Sequence, residues 1–273
     1  MSSGRAFRLT LFTNRPGLAA AADGAGVDRI GPDLERLGKQ ERQGGMNRWI
    51  SDHTEGELPG VFAALARARR FVRCNPPHPG LAAEIERLLA QGAQVVMLPH
   101  FHHVDEARRF VGAIGGRARS VLLVETVRAA SRVAELCRLE GLDEIHFGLN
   151  DLSLDLGSGN QFAVLCSSLL EDACAVVRES GLPFAVGGIG RALDASLPVP
   201  SELVYAQYPR LGASGALLSR VFFAGLPEER IAAEVAATRA RLDHWARQDT
   251  ASLARARDEL RALAAAGGHG RPA

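Results

Sequence analysis

Two carboxylates offered by successive apolar runs are the residues of this chain best placed to do chemistry. Glu125 ends the run Ser120-Val-Leu-Leu-Val, and Asp151 follows the short run 145–147 after a break at Gly148, between Asn150 and Ser153. Acids just beyond an apolar strand sit at its carboxyl end, where α/β folds keep their active sites. Such a pair, completed by water and a chelating substrate, suits a hard divalent cation such as Mg²⁺ or Mn²⁺. Either acid would serve equally well as a helix N-cap or in a surface loop.

Arg73 lies inside the apolar stretch 70–75. A guanidinium there is costly unless it is paired or faces a solvated mouth. A bidentate hold on a substrate carboxylate meets that need, and so does a structural ion pair with Asp33 or Glu35. His100, directly after the run 93–98, and His53, within Ser51-Asp52-His53-Thr54, are the candidate proton carriers. His100 and His102 also form the His-x-His of a zinc-dependent, amidohydrolase-like hydrolase. Those barrels carry the pair on their first strand and need further histidines, whereas here none appears between His146 and His244. His102 and His103 fit the start of a helix better.

What must position these residues is an alternation of apolar runs and amphipathic segments. Strands are expected at 7–13, 27–35, 70–75, 93–98, 121–125, 145–147, 184–189 and 215–222. Helices are expected at 16–25, 57–68, 80–91, 104–114, 127–139, 162–180, within 201–211, and at 228–248 and 252–265. Eight strands alternating with helices predict an α/β fold, a (β/α)8 TIM barrel with additional C-terminal helices. A doubly wound open sheet shares the alternation but would carry Gly-x-Gly-x-x-Gly after its first strand, which is missing. Residues 1–248 are assigned to the barrel. Residues 249–273 are a helical extension that packs on the barrel or a neighbouring subunit, ending in a frayed tail.

Bulk properties narrow the partners. Hydrophobic residues are 47% and charged residues 23% of 273, and the net charge is +1. No global field recommends nucleic acid or an anionic membrane. No apolar run reaches the ~18 residues of a membrane helix, and residues 1–13 lack a charged-then-apolar leader. A cytoplasmic protein is expected. Cys74, Cys137, Cys166 and Cys174 have no metal or disulfide spacing and read as free thiols. Lys39 is the single lysine, in a polar loop. An imine-forming aldolase needs a lysine at a strand end, so if this barrel makes or breaks carbon–carbon bonds, a metal rather than an imine must stabilise the enolate.

These residues together resemble the HpcH/HpaI aldolase and citrate lyase beta-subunit family. The matching stretches are Val27-Asp-Arg-Ile-Gly-Pro-Asp-Leu-Glu35 with Lys39 and Arg42, Phe71-Val-Arg-Cys-Asn-Pro76, and Gly92-Ala-Gln-Val-Val-Met-Leu-Pro99. Leu123-Val-Glu-Thr126 with Ala129, and Gly148-Leu-Asn-Asp-Leu-Ser153 with Leu156-Gly157, complete the series. The resemblance implies a TIM barrel, a homo-oligomer, and a metal held by Glu125 and Asp151. It implies that Arg73 binds substrate oxygen, with Glu35 and the amides of Leu149 and Asn150 facing the substrate acid. The reaction implied is aldol or Claisen-type cleavage or condensation, through a metal-held enolate of a 2-oxo acid or acyl group. The sequence departs from the aldolase branch in carrying Arg36 where that branch has a histidine base. A catalytically silent homologue with a binding or assembly role is therefore the second expectation. His53, His100 and a metal-bound water are ranked in that order as the base.

Overall fold

The structure, a computed structural model, describes residues 7–38, 51–192, 194, 196–197 and 199–266. Lys39, Arg42, the Gly44-Gly45 pair and the tail from Gly267 lie outside them. Nine strands are described: β1 (Arg8–Phe12), β2 (Arg29–Gly31), β3 (Arg69–Arg73), β4 (Val95–Leu98), β5 (Arg119–Val124), β6 (Glu144–Phe147), β7 (Phe184–Val186), β8 (Gly188–Ile189) and β9 (Gly215–Leu218). They form one parallel sheet in the order β7-β6-β5-β4-β3-β2-β1-β9-β8.

The two ends of that order, β7 and β8, are one strand interrupted at Gly187. Its N–H donates to Phe147 O at 2.8 Å on one side, and its carbonyl accepts from Leu217 N–H at 3.2 Å on the other. One residue thus joins both edges and closes the barrel. Gly187 has φ 52°, and an added Cβ would lie 2.3 Å from Leu149 Cδ1. Only glycine fits that conformation and that approach. The eight-strand barrel expected from the sequence is the fold observed, with its seventh strand broken in two.

Side chains alternate across each strand, and the alternation sorts the molecule into two cores. Phe71, Val95, Met97, Val121 and Leu123, with Phe12 against them, fill the barrel interior. Their neighbours Val72, Val96, Leu98, Leu122 and Val124 face outward and pack under the helices. The same parity turns Arg73 inward after Phe71 and Glu125 inward after Leu123.

Several boundaries differ from expectation for local reasons. The strand expected at 27–35 pairs only over Arg29–Gly31 and then through a single Asp33–Arg73 bridge, because Pro32 has no N–H for the ladder. The helix expected at 162–180 is two, Gln161–Leu165 and Ser168–Ser180. The Ser167 hydroxyl caps the second by accepting from Leu170 N–H at 3.3 Å. The segment 127–139 likewise divides into Val127–Ala130 and Val133–Leu136. The last helix, Thr250–Ala266, buries Ala256, Leu260 and Ala264 against the helices Gln161–Leu165 and Gln207–Leu211 of its own barrel. All four cysteines are free, with Cys74, Cys166 and Cys174 buried.

Candidate functional site

The site lies at the carboxyl ends of the strands, on residues that inward parity carries past the apolar interior. Glu125 follows β5 and is buried; its Oε1 accepts from the backbone N–H of His100 at 2.9 Å. His100 follows β4 with φ 43°, the one positive-φ non-glycine among the described residues. Holding a side-chain-bearing residue there costs roughly 1 kcal/mol or more, and such strain gathers at functional sites. Asp151 sits in the first turn of the short helix Leu149–Asp155 that follows β6. His100, Glu125 and Asp151 each bring one ligand atom to within 4.8 Å of the others.

Close approach at this point needs Gly148. A Cβ there would stand 2.7 Å from Glu125 Oε2 and 2.8 Å from Glu125 Cβ. The strand-to-helix junction is therefore glycine because the neighbouring strand presses a carboxylate against it.

Arg73 is held through Nε and Nη2 by acids from β2's end. Its Nε and Nη2 donate to Asp33 Oδ1 and Oδ2 at 2.7 and 2.6 Å, and Glu35 Oε2 lies 3.0 Å from Nη2. The guanidinium also stacks over Phe12, 4.9 Å from the ring centre. The ion pair with Asp33 and Glu35, one of the two alternatives for Arg73, is thus present. Burial opposes its charge, but Asp33 and Glu35 hold its pKa well above the usual arginine value.

The balance of charge is the telling property. Burial first, then the charges of Glu35 and Asp151, raise the Glu125 carboxyl well above the usual carboxylate range, with Arg73 opposing them. Asp33, Glu35 and Glu125 all act on the buried Arg73, and Asp151 acts on Glu125, so acids outnumber that cation. Two carboxylates and an imidazole under surplus negative charge match the donor set of a divalent cation, so the residues present fit such an ion.

His53 is placed differently. Its Nδ1 accepts the N–H of Asp33 at 2.9 Å, which puts the proton of the neutral ring on Nε2. Burial lowers its pKa below the usual histidine value, against the pull of Asp33. His53 can act as a base at Nδ1 only by giving up that backbone bond. His102 and His103 are exposed; His103 caps Val104–Ile114 together with Glu106, as a helix start. The His102 ring stands edge-on to that of His100, 5.0 Å between centroids, but His102 is not one of the three groups whose ligand atoms come together with Glu125 and Asp151. Leu149 is buried and Asn150 exposed at the first two positions of their helix, where backbone amides lack intrahelical partners. Arg36, in the position of the absent histidine, is exposed and donates to Asp52 O.

One mouth residue escaped the sequence reading. Arg220, beyond β9, interacts electrostatically with Asp33, Glu35 and Arg73. The signal was there in the rule that strand ends line the mouth. Extending the eighth strand to 222 hid it inside an apolar run that stops at Leu218.

Comparison with known proteins agrees with this architecture. The family model for HpcH/HpaI aldolase/citrate lyase matches residues 57–165. A hydroxypyruvate/pyruvate aldolase of Sagittula stellata is 27% identical over 193 residues, covering 56% of this chain and 74% of that protein. A Burkholderia cenocepacia protein of the HpcH/HpaI aldolase/citrate lyase family superposes with a TM-score of 0.64 at 16% identity, over 89% of this chain and 96% of that one. The citrate lyase beta subunit of M. tuberculosis, solved with oxaloacetate and magnesium, has a TM-score of 0.57 at 17% identity, over 87% of this chain and 97% of that one. A 4-hydroxy-2-oxo-heptane-1,7-dioate aldolase of Salmonella typhimurium matches over about half its length, 49%, at 27% identity.

Proposed function

We propose that this chain, which matches the HpcH/HpaI aldolase/citrate lyase family model over residues 57–165 and a 27%-identical aldolase over 56% of its length, is a member of that family and a divalent-metal-dependent carbon–carbon lyase acting on a small carboxylate. The observation that carries the proposal is the convergence of His100, Glu125 and Asp151 within 4.8 Å, in a pocket of surplus acid. The substrate class is a 2-oxo acid or an acyl thioester, and the reaction an aldol or Claisen-type cleavage or condensation. Magnesium in the M. tuberculosis neighbour favours Mg²⁺, and an imidazole among the donors favours Mn²⁺. When bound, the cation supplies Lewis acidity to a chelating 2-oxo acid.

The chain's own residues then have separable tasks. Glu125 is held by the His100 amide and orients the metal side of the site. Arg73, fixed by Asp33 and Glu35, adds a positive field toward charge developing on substrate oxygen. The amides of Leu149 and Asn150 face the substrate carboxylate at their helix's first turn. His53, neutral and protonated at Nε2, acts as a hydrogen-bond donor in this geometry. The closed barrel and its apolar interior exclude water from below.

We assign the protein to the cytoplasm as a homo-oligomer; among the described residues no helix is long and apolar enough to cross a membrane. The test is chelation. Protein stripped of metal should lose α-proton exchange of pyruvate, or aldol cleavage, and regain it with Mg²⁺ or Mn²⁺; activity indifferent to chelation removes the proposal. A second reading, a barrel that binds without turnover, draws on Arg36, whose exposed side chain supplies no base. It predicts metal-binding heat by calorimetry without proton exchange.

A further inference from the structure

The opposite end of the barrel carries a second charged layer that the lyase reading does not use. Four strands begin with arginine on the inward parity: Arg8 on β1, Arg29 on β2, Arg69 on β3 and Arg119 on β5. Together with Arg67 they line a cavity of about 570 Å³ at the amino-terminal mouth. That volume lies within the range of small-molecule sites.

The acids of this region do not balance them. Glu144 on β6 takes Arg29 in a two-pronged pair at 3.0 and 2.6 Å and lies 3.3 Å from Arg8. Asp23 is saturated by the N–H groups of Ala66, Arg67 and Ala68. Asp28 takes Leu9 N–H and Arg239. Asp143 reaches Arg119 only at 3.6 Å, on the exposed rim. Among the described residues the Arg69 guanidinium meets no carboxylate. Two donors are stranded outright: Arg8 Nε and Arg119 Nε are buried without a hydrogen-bond partner. Buried donors without acceptors cost about 1–3 kcal/mol each, and natural folds rarely keep them without a ligand or water. Arg29 and Arg119 also repel Arg8, whose pKa burial has already lowered.

We propose that this amino-terminal cavity is a binding site for a small phosphorylated anion, distinct from the metal site at the other end. Phosphoryl groups answer both deficits: they carry about two negative charges, and their several oxygens accept from forked guanidinium donors approaching from different strands. The cavity exceeds a single phosphate, so the anion bears two phosphoryl groups or an organic part.

The probes are inorganic pyrophosphate and ADP, titrated by calorimetry into full-length protein kept in chelator, so that no metal recruits them to the acidic mouth. Binding of either supports the site, and the tighter of the two tells a free from a nucleotide-borne phosphoryl group. Arg69→Gln with Arg119→Gln, both on the rim, should weaken binding at least about tenfold while the melting temperature without ligand stays unchanged. Asp151→Asn should leave the affinity as it was. No heat from either probe overturns the proposal, as does equal affinity in the double variant. Loss of binding in Asp151→Asn alone would place the anion at the other mouth and overturn it too. None of these outcomes bears on whether chelation silences the lyase reaction.

Discussion

The two mouths of this barrel are built by the same device and left with opposite surpluses. At the carboxyl end a buried arginine, Arg73, is clamped by Asp33 and Glu35, and the excess is carboxylate, on Glu125 and Asp151. At the amino end a buried glutamate, Glu144, is clamped by Arg29 and approached by Arg8, and the excess is guanidinium. The amino-end pair reaches across the interior from β2 to β6, whereas the carboxyl-end pair joins the neighbouring strands β2 and β3; in each case the surplus sets the sign of the ion that the proposed site would take. The difference teaches that a buried ion pair and a binding site need not be rivals. The first fixes the geometry in which the second is left unbalanced.

The sharpest way to break the comparison is to remove the surplus at the carboxyl end. Glu125→Gln with Asp151→Asn should lower lyase activity by about 1000-fold, ~4 kcal/mol of barrier. Calorimetry with Mn²⁺ should lose its heat, while thermal stability without metal rises or holds, because two repelling acids are gone. A variant that keeps its Mn²⁺ affinity would dissolve the contrast between the mouths.

At the other end the pair itself is the weak point. Glu144→Gln leaves Arg29 and Arg8 buried without a counter-charge and should destabilise the fold by about 3–5 kcal/mol, read from urea unfolding. Metal affinity at the far mouth should not move. Were stability unchanged, the pair could not be a strut between strands.

His146 lies between the two layers, buried on β6, with its Nε2 3.2 Å from Gly187 O. Burial lowers its pKa from 6.5 to about 4, against the pull of Glu144. A depressed folded value means the unfolded chain binds the proton first. Stability from this group is therefore complete above pH 6.5 and is lost as pH falls toward 4, by about 3 kcal/mol in all. His146→Gln should flatten that part of a pH–stability curve measured by denaturant unfolding, and an unchanged slope would refute the assignment. Smallest is Gly148→Ala. Its methyl would crowd Glu125, costing about 1–3 kcal/mol and weakening Mn²⁺ binding. If its melting temperature and metal affinity match the parent protein, Glu125 is not pinned where it is described.

Much of the carboxyl-end site was legible because a residue just past an apolar run is at a strand end, and strand ends of a barrel converge. The placement of Glu125, Asp151 and Arg73 at the mouth followed from that, while their roles as ligands and substrate contact were assigned only by the family resemblance. What periodicity does not reveal is pairing. Nothing in the sequence decided that Arg73 would spend its donors on Asp33 and Glu35, or that the Asp33 amide would occupy His53 Nδ1. Those outcomes depend on which strands neighbour each other. His100 was read as a proton carrier and proves to stand with the two acids, because its left-handed backbone, invisible in composition, turns it there. The arginines at the starts of β1, β2, β3 and β5 were equally visible as letters. Attention to strand ends passed over strand beginnings.

Between the mouths lies the plug of Phe71, Val95, Met97, Val121, Leu123 and Phe12. It acts as a dielectric spacer. No side chain can carry the negative excess of one end to the positive excess of the other, so neither can be discharged from within the molecule. An ion taken up at one mouth would therefore answer the charge of that mouth alone.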